Sequence, residues 1–202
     1  MKIFKIYFLL LFAFAFSAKC YSQKVVVKVS MENKKTNPKS DTIYYDFNRR
    51  LTWKDFQGKP DASSPGGAVT ASGFASNSEM NYDGKTIYLD IGIYTFFTKN
   101  DSWKKTNINS DYHLLHEQHH FDITRLSTEK LLADISSAHF TKENYRALLS
   151  SIFEKAYNDN STLQQQYDKE TNHSIHTVKQ QEWNDKIALE IKKLKESIMA
   201  KN

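Results

Sequence analysis

The reading of this chain turns on Leu114-Leu115-His116-Glu117-Gln118-His119-His120-Phe121-Asp122-Ile123. On a helix, His116 and His120 stand four residues apart, so both imidazoles leave the same face one turn apart. Two imidazoles at that spacing can hold one zinc ion. Glu117 projects beside them, close enough to take a proton from a water on the metal without itself becoming a ligand. A catalytic zinc keeps three protein ligands and one open position, so the stretch lacks one ligand. The alternative is a solvated, His-rich helix face. The surrounding pattern predicts an amphipathic helix from about Asp111 to Ser136, with Leu114, Leu115, Ile123, Leu126, Leu131 and Leu132 as its apolar positions. Asn109 or Ser110 caps it, and Asp111 sits in its first turn.

Upstream, the chain reads as strands. Lys24–Val29 is short and β-branched, Met31–Ser40 is a polar linker, and Thr42–Phe47 can form a strand. In Leu51-Thr52-Trp53-Lys54-Asp55-Phe56-Gln57-Gly58-Lys59-Pro60, two aromatics three apart, closed by Gly and Pro, predict one short helical turn that tucks Trp53 and Phe56 into the core. Ala68–Met80 and Lys85–Phe97 flank the hairpin signal Asn81-Tyr82-Asp83-Gly84. Ile87, Leu89, Ile91 and Ile93 alternate onto one face of the second run; the lighter first run reads as an edge. Downstream, a second helix is expected from near Thr141, with Asn158-Asp159-Asn160 as a break or kink. A last helix starts at Thr177 with a capping box to Gln180 and uses Trp183, Ile187, Leu189, Ile191, Leu194 and Ile198. The fold class is α+β: an N-terminal antiparallel sheet followed by a helical, zincin-like half that carries the His-Glu helix.

Lys2 and Lys5 followed by the uncharged apolar run Ile6–Phe16 have the build of a signal peptide, with cleavage after Ser22 or Ala18. The expected organisation is residues 1–22 as signal peptide, 23–41 as lead or linker, and 42–200 as one metallopeptidase-like domain, secreted or periplasmic, with no stable membrane insertion after cleavage. Cys20 is the only cysteine, and Lys19 before it argues against lipidation. Cleavage after Ser22 leaves no thiol, so any zinc must use His, Glu or Asp. Lys2, Lys5 and Lys19 leave with the signal peptide, and 25 basic against 23 acidic side chains remain, a net of +2. Nothing in that balance points to nucleic acid.

Downstream candidates for the missing ligand are Asp168, Glu170, His173 and His176. His113 and His119 flank the motif as surface groups or as partners of the ligands, and His139 reads as a surface residue.

The run His116-Glu117-Gln118-His119-His120-Phe121-Asp122-Ile123, with Tyr167-Asp168-Lys169-Glu170-Thr171-Asn172-His173-Ser174 after it, resembles a bacterial family of predicted secreted zinc-dependent proteases catalogued as a domain of unknown function. Arg50–Pro60, the Trp103 segment and Gln180–Trp183 are similar to the same pattern, so the resemblance spans roughly Leu51 to Ile191. The family pattern carries Gly after the downstream histidine, where this chain has Ser174. The resemblance implies a zinc peptidase acting on a peptide or protein substrate. His116 and His120 are then ligands, Glu117 the general base, and His173 the third ligand with Glu170 its rival. Asp168 or Glu170 orients an imidazole, and Tyr167 or His176 donates to the tetrahedral oxyanion. Two other classes remain open: a non-catalytic secreted module with a structural zinc, and a zinc amidase acting on cell-wall peptides.

Overall fold

The computed structural model describes residues 24–200; the expected signal peptide and Cys20 lie outside the described residues. The elements in chain order are β1 (Lys24–Met31), β2 (Thr42–Tyr44), a 3-10 turn (Trp53–Asp55), β3 (Ala68–Val69), β4 (Ser72–Tyr82), β5 (Thr86–Thr98), β6 (Trp103–Lys104), α1 (Asp111–Ser137), α2 (Tyr145–Thr171) and α3 (Thr177–Met199). The α+β class stands: a sheet comes first and three helices follow. No helix among the described residues is long and apolar enough to cross a membrane.

The long strand β5 is the spine of the sheet. Its alternation extends past the four aliphatics, burying Leu89, Ile91, Ile93, Thr95 and Phe97 on one face. On one edge it pairs antiparallel with β4, from Tyr82 opposite Ile87 to Ser72 opposite Phe97. The expected hairpin is there. Gly84 takes φ +91 at its turn, and Asp83 Oδ1 accepts from the backbone N–H groups of Lys85 and Thr86. As expected, β4 is an edge, exposed over its outer half.

The other edge of β5 corrects the expectation of an antiparallel sheet. It carries two strands end to end: β1 lies parallel to Thr86–Ile93, and β2 lies antiparallel to Phe96–Thr98. The sheet is therefore mixed. The short first strand expected at Lys24–Val29 forms and extends to Met31, and every residue of β1 has a partner on β5. The connector is tied down as well, with Lys99 Nζ donating to the carbonyls of Pro38 and Ser40.

The predicted turn at Trp53–Asp55 forms. Asp55 Oδ2 accepts from the Thr52 backbone N–H at 2.8 Å and Oδ1 from Arg49 at 2.9 Å. Phe56 is buried and Trp53 packs, half-buried, against the cluster of Ile43, Leu51, Phe97 and Phe121. A larger cluster between sheet and helices holds Phe74, Leu89, Ile91, Ile93, Leu131 and Ile135, and a third, among the helices, holds Ile123, Tyr167, Trp183 and Ile187.

The helices depart from expectation in three places. Asn158-Asp159-Asn160 does not interrupt α2, which runs through to Thr171, so Tyr167 and Asp168 sit on its last turns. Thr177 is not the cap of α3; His176 is, accepting from the Lys179 N–H. Most consequential, α1 is not amphipathic across its middle. It touches β1, β4 and β5 as well as α2 and α3, and His116 to Arg125 form an unbroken buried run. Sandwiched on two sides, it has no solvent face there.

Phe97 is fully buried and meets Phe56 edge-on with ring centroids 5.3 Å apart. Phe97→Ala should cost about 4 kcal/mol. In a domain of this size that lowers Tm by roughly 10 °C, read by thermal melting of purified protein.

Candidate metal centre

Helix α1 delivers the motif as its spacing predicts. His116 Nε2 and His120 Nε2 are 3.3 Å apart, and each lies 3.1 Å from Asp168 Oδ1 on α2. In a tetrahedral site with bonds of about 2.0–2.1 Å, ligand atoms lie about 3.3 Å from one another. The three atoms thus form one face of such a tetrahedron. Among the described residues, His116, His120 and Asp168 are the group placed to hold a metal ion.

The tautomers are set from behind. His116 Nδ1 donates to Gln180 Oε1 at 2.8 Å, and His120 Nδ1 donates to Gln164 Oε1 at 2.6 Å. Each carboxamide is itself oriented: Gln180 Nε2 donates to Tyr167 and Asn184, and Gln164 Nε2 donates to the His120 carbonyl and Thr124. With the protons on Nδ1, both Nε2 lone pairs point at the carboxylate oxygen, and three acceptors face one another. The convergence calls for a positive charge. Burial pulls the His120 imidazole down, but the Asp168 and Glu117 carboxylates outweigh it and push it up to about 9. Burial works to raise the Asp168 carboxyl, yet hydrogen bonds and charge from the two imidazoles hold it well below the usual carboxylate range.

Glu117 is buried beside the histidines and is not part of the triangle. Thr70 Oγ1 donates to its Oε2 at 2.7 Å and also contacts its backbone carbonyl at 3.1 Å. Glu117, His116, His113 and His173 share a cavity of about 10 Å³, on the scale of one water.

Tyr167 is misplaced by the sequence reading as an oxyanion donor. It is fully buried, its ring stacked on His116 at 4.6 Å and 21° and edge-on to His120 at 4.9 Å. Its hydroxyl donates to the His116 carbonyl and accepts from Gln180. Burial lifts that hydroxyl further above its ordinary pKa. It is the floor of the site. His176, the other expected donor, is spent capping α3. Glu170 is turned away from the centre and accepts from Trp183 Nε1 and Gln166.

His173 stands just outside the triangle, with Nδ1 3.4 Å from Asp168 Oδ1. It gets there through three consecutive left-handed residues, Asn172 at φ 48, His173 at 51 and Ser174 at 70. That turn explains the glycine of the resembling pattern: position 174 needs positive φ, which L side chains adopt at a cost. His113 bonds Ser110. His119, expected as a flanking group, is buried on another side of α1 and donates to Asp122. His139 is exposed, as expected. The sequence reading missed Thr70, Gln164 and Gln180. Gln164 had a signal, lying one helical turn before Asp168; Gln180 lay in a stretch covered by the resemblance; Thr70 had none.

Residues 100–174 match the model of a family described as "Bacterial protein of unknown function (DUF922)". The match takes in the His-Glu stretch and the Tyr167–Ser174 segment, and leaves out Arg50–Pro60 and Gln180–Trp183. Its description carries no protease name and no activity. No curated protein and no solved structure matches the chain.

Replacing either amide behind the histidines, Gln164→Leu or Gln180→Leu, should weaken metal binding about 10–100-fold in competition with a chelator. Ser174→Gly should raise stability by about 1 kcal/mol in denaturant unfolding, because it relieves a strained φ.

Proposed function

We propose that the protein is a secreted or periplasmic zinc-dependent metallopeptidase, with His116, His120 and Asp168 as zinc ligands and Glu117 as general base. The observation that carries the reading is the three-atom face formed by His116 Nε2, His120 Nε2 and Asp168 Oδ1, with a buried carboxylate that is not part of it alongside. The donor set of two nitrogens and one oxygen suits zinc, and three ligands leave the open position that catalysis needs. Bound there, zinc would polarise a peptide carbonyl and lower the pKa of a water to about 7.

The chain's own groups divide the remaining work. Glu117 takes the proton of the attacking water and returns it to the leaving amine. Thr70 holds one oxygen of that carboxylate and leaves the other free. Gln164 and Gln180 fix the imidazole tautomers, and Tyr167 closes the underside against solvent. The oxyanion donor passes from Tyr167 to His173, which lines the same small cavity as Glu117. The substrate is a polypeptide.

One observation favours a second reading. His173 is near enough to Asp168 that a modest shift would make it a fourth ligand, closing the site as in a structural zinc centre.

Glu117→Gln should retain about one zinc per chain while peptide hydrolysis falls by about 10²–10⁴-fold; cleavage at the wild-type rate would remove Glu117 from the chemistry. His116→Ala should lose the metal in elemental analysis. His173→Ala separates the two readings: lowered kcat with zinc affinity retained supports a catalytic donor, and lost affinity supports a closed structural site.

A further inference from the structure

Asn160, Gln164 and Asp168 recur every four residues on α2, so they form one stripe along the face turned to the metal centre. Asp168 meets both histidines, and Gln164 holds His120 and Thr124. Asn160 holds nothing. Its Oδ1 is buried and has no hydrogen-bond partner among the described residues. A buried acceptor left without a donor is uncommon in a folded protein and asks for an explanation.

The stripe borders a cavity of about 210 Å³ that opens beside the metal ligands. Its opposite wall includes Ser64, Gly66, Ala68 and Ser72, all small. Asp168 is the only acidic side chain on the described wall, which has no lysine or arginine. The cavity is smaller than pockets that enclose whole ligands and is on the scale of one side chain.

Building on the peptidase reading, we infer that this cavity is a specificity pocket. It receives an uncharged hydrogen-bonding side chain, a hydroxyl or carboxamide, from a residue flanking the scissile bond, and that group donates to Asn160. A carboxylate is an acceptor only and has no hydrogen to give to Asn160 Oδ1. An ammonium would lack a counter-charge once Asp168 is committed to the metal. A hydrocarbon side chain of the same shape would leave Asn160 unmet, and sites built to hydrogen-bond discriminate against such isosteres.

Two readouts test this. In ¹⁵N-labelled protein with zinc present, N-acetyl-threonine N-methylamide should shift the Asn160 side-chain amide signals saturably, and the valine counterpart should not. In a peptide-library digest, threonine should outrank valine by about tenfold at one position beside the cleaved bond, and Asn160→Leu should abolish that preference. Threonine-specific shifts without any peptide cleavage would support the pocket and defeat the hydrolytic reading. Unmoved Asn160 signals, or the same cleavage profile in Asn160→Leu as in wild type, would overturn the pocket.

Discussion

A helix that buries His116, Glu117, Gln118, His119, His120, Asp122, Thr124 and Arg125 within ten consecutive positions is stable only when those groups find partners. Each one left alone would cost about 1–3 kcal/mol, and the rest of the molecule supplies partners to most of them, while His119 turns to Asp122 of its own helix and leaves its Nε2 without a partner among the described residues. The loop before the hairpin gives Tyr45, whose hydroxyl donates to Asp122, and the Leu51 N–H, which donates to Gln118. Strand β4 gives Ser72 to Thr124, and the segment before it gives Thr70 to Glu117. Helices α2 and α3 give Gln164, Asp168 and Gln180 to the two histidines. Arg125 pairs with Glu129 and lies over the ring of Phe47.

Within that pattern the metal triangle differs from the other pairings, because it brings acceptors together rather than matching donors to acceptors. His116 and His120 each have one nitrogen satisfied by an amide oxygen, and their remaining lone pairs face a carboxylate. A divalent ion satisfies three such groups at once. It would also join α1 to the last turns of α2, so binding free energy would add directly to the stability of the folded state. Tyr167 sits between the two helices under both imidazoles and keeps that junction dry.

Much of this was legible in the sequence, and the misses share a cause. The His-Glu stretch was readable because its geometry is local: four residues on a helix fix two imidazoles on one face. The hairpin was readable because Asp83-Gly84 encodes its own turn, and the inward side of β5 because alternation is a backbone property. Asp168 appeared among the candidates but was given the role of orienting an imidazole, with His173 and Glu170 placed ahead of it as ligands, since nothing in the polar run Gln164–Glu170 signals that α2 continues to Thr171. Once it does, Asp168 lies one turn beyond Gln164 and Glu170 faces away. The parallel direction of β1 depends on which edge of β5 is free, and no pattern within β1 records that. An aromatic such as Tyr167 looks the same in sequence whether it faces a substrate or lies under a histidine, and Thr70 reaches Glu117 across 47 residues.

The most direct test of the central claim is X-ray absorption at the zinc edge on protein purified with one equivalent of zinc. The account predicts four light-atom ligands near 2.0 Å, with the multiple-scattering signature of two imidazoles and an oxygen from Asp168. A third imidazole would show that His173 joins the site. Absence of any imidazole scattering would show that His116 and His120 do not grip the metal at all.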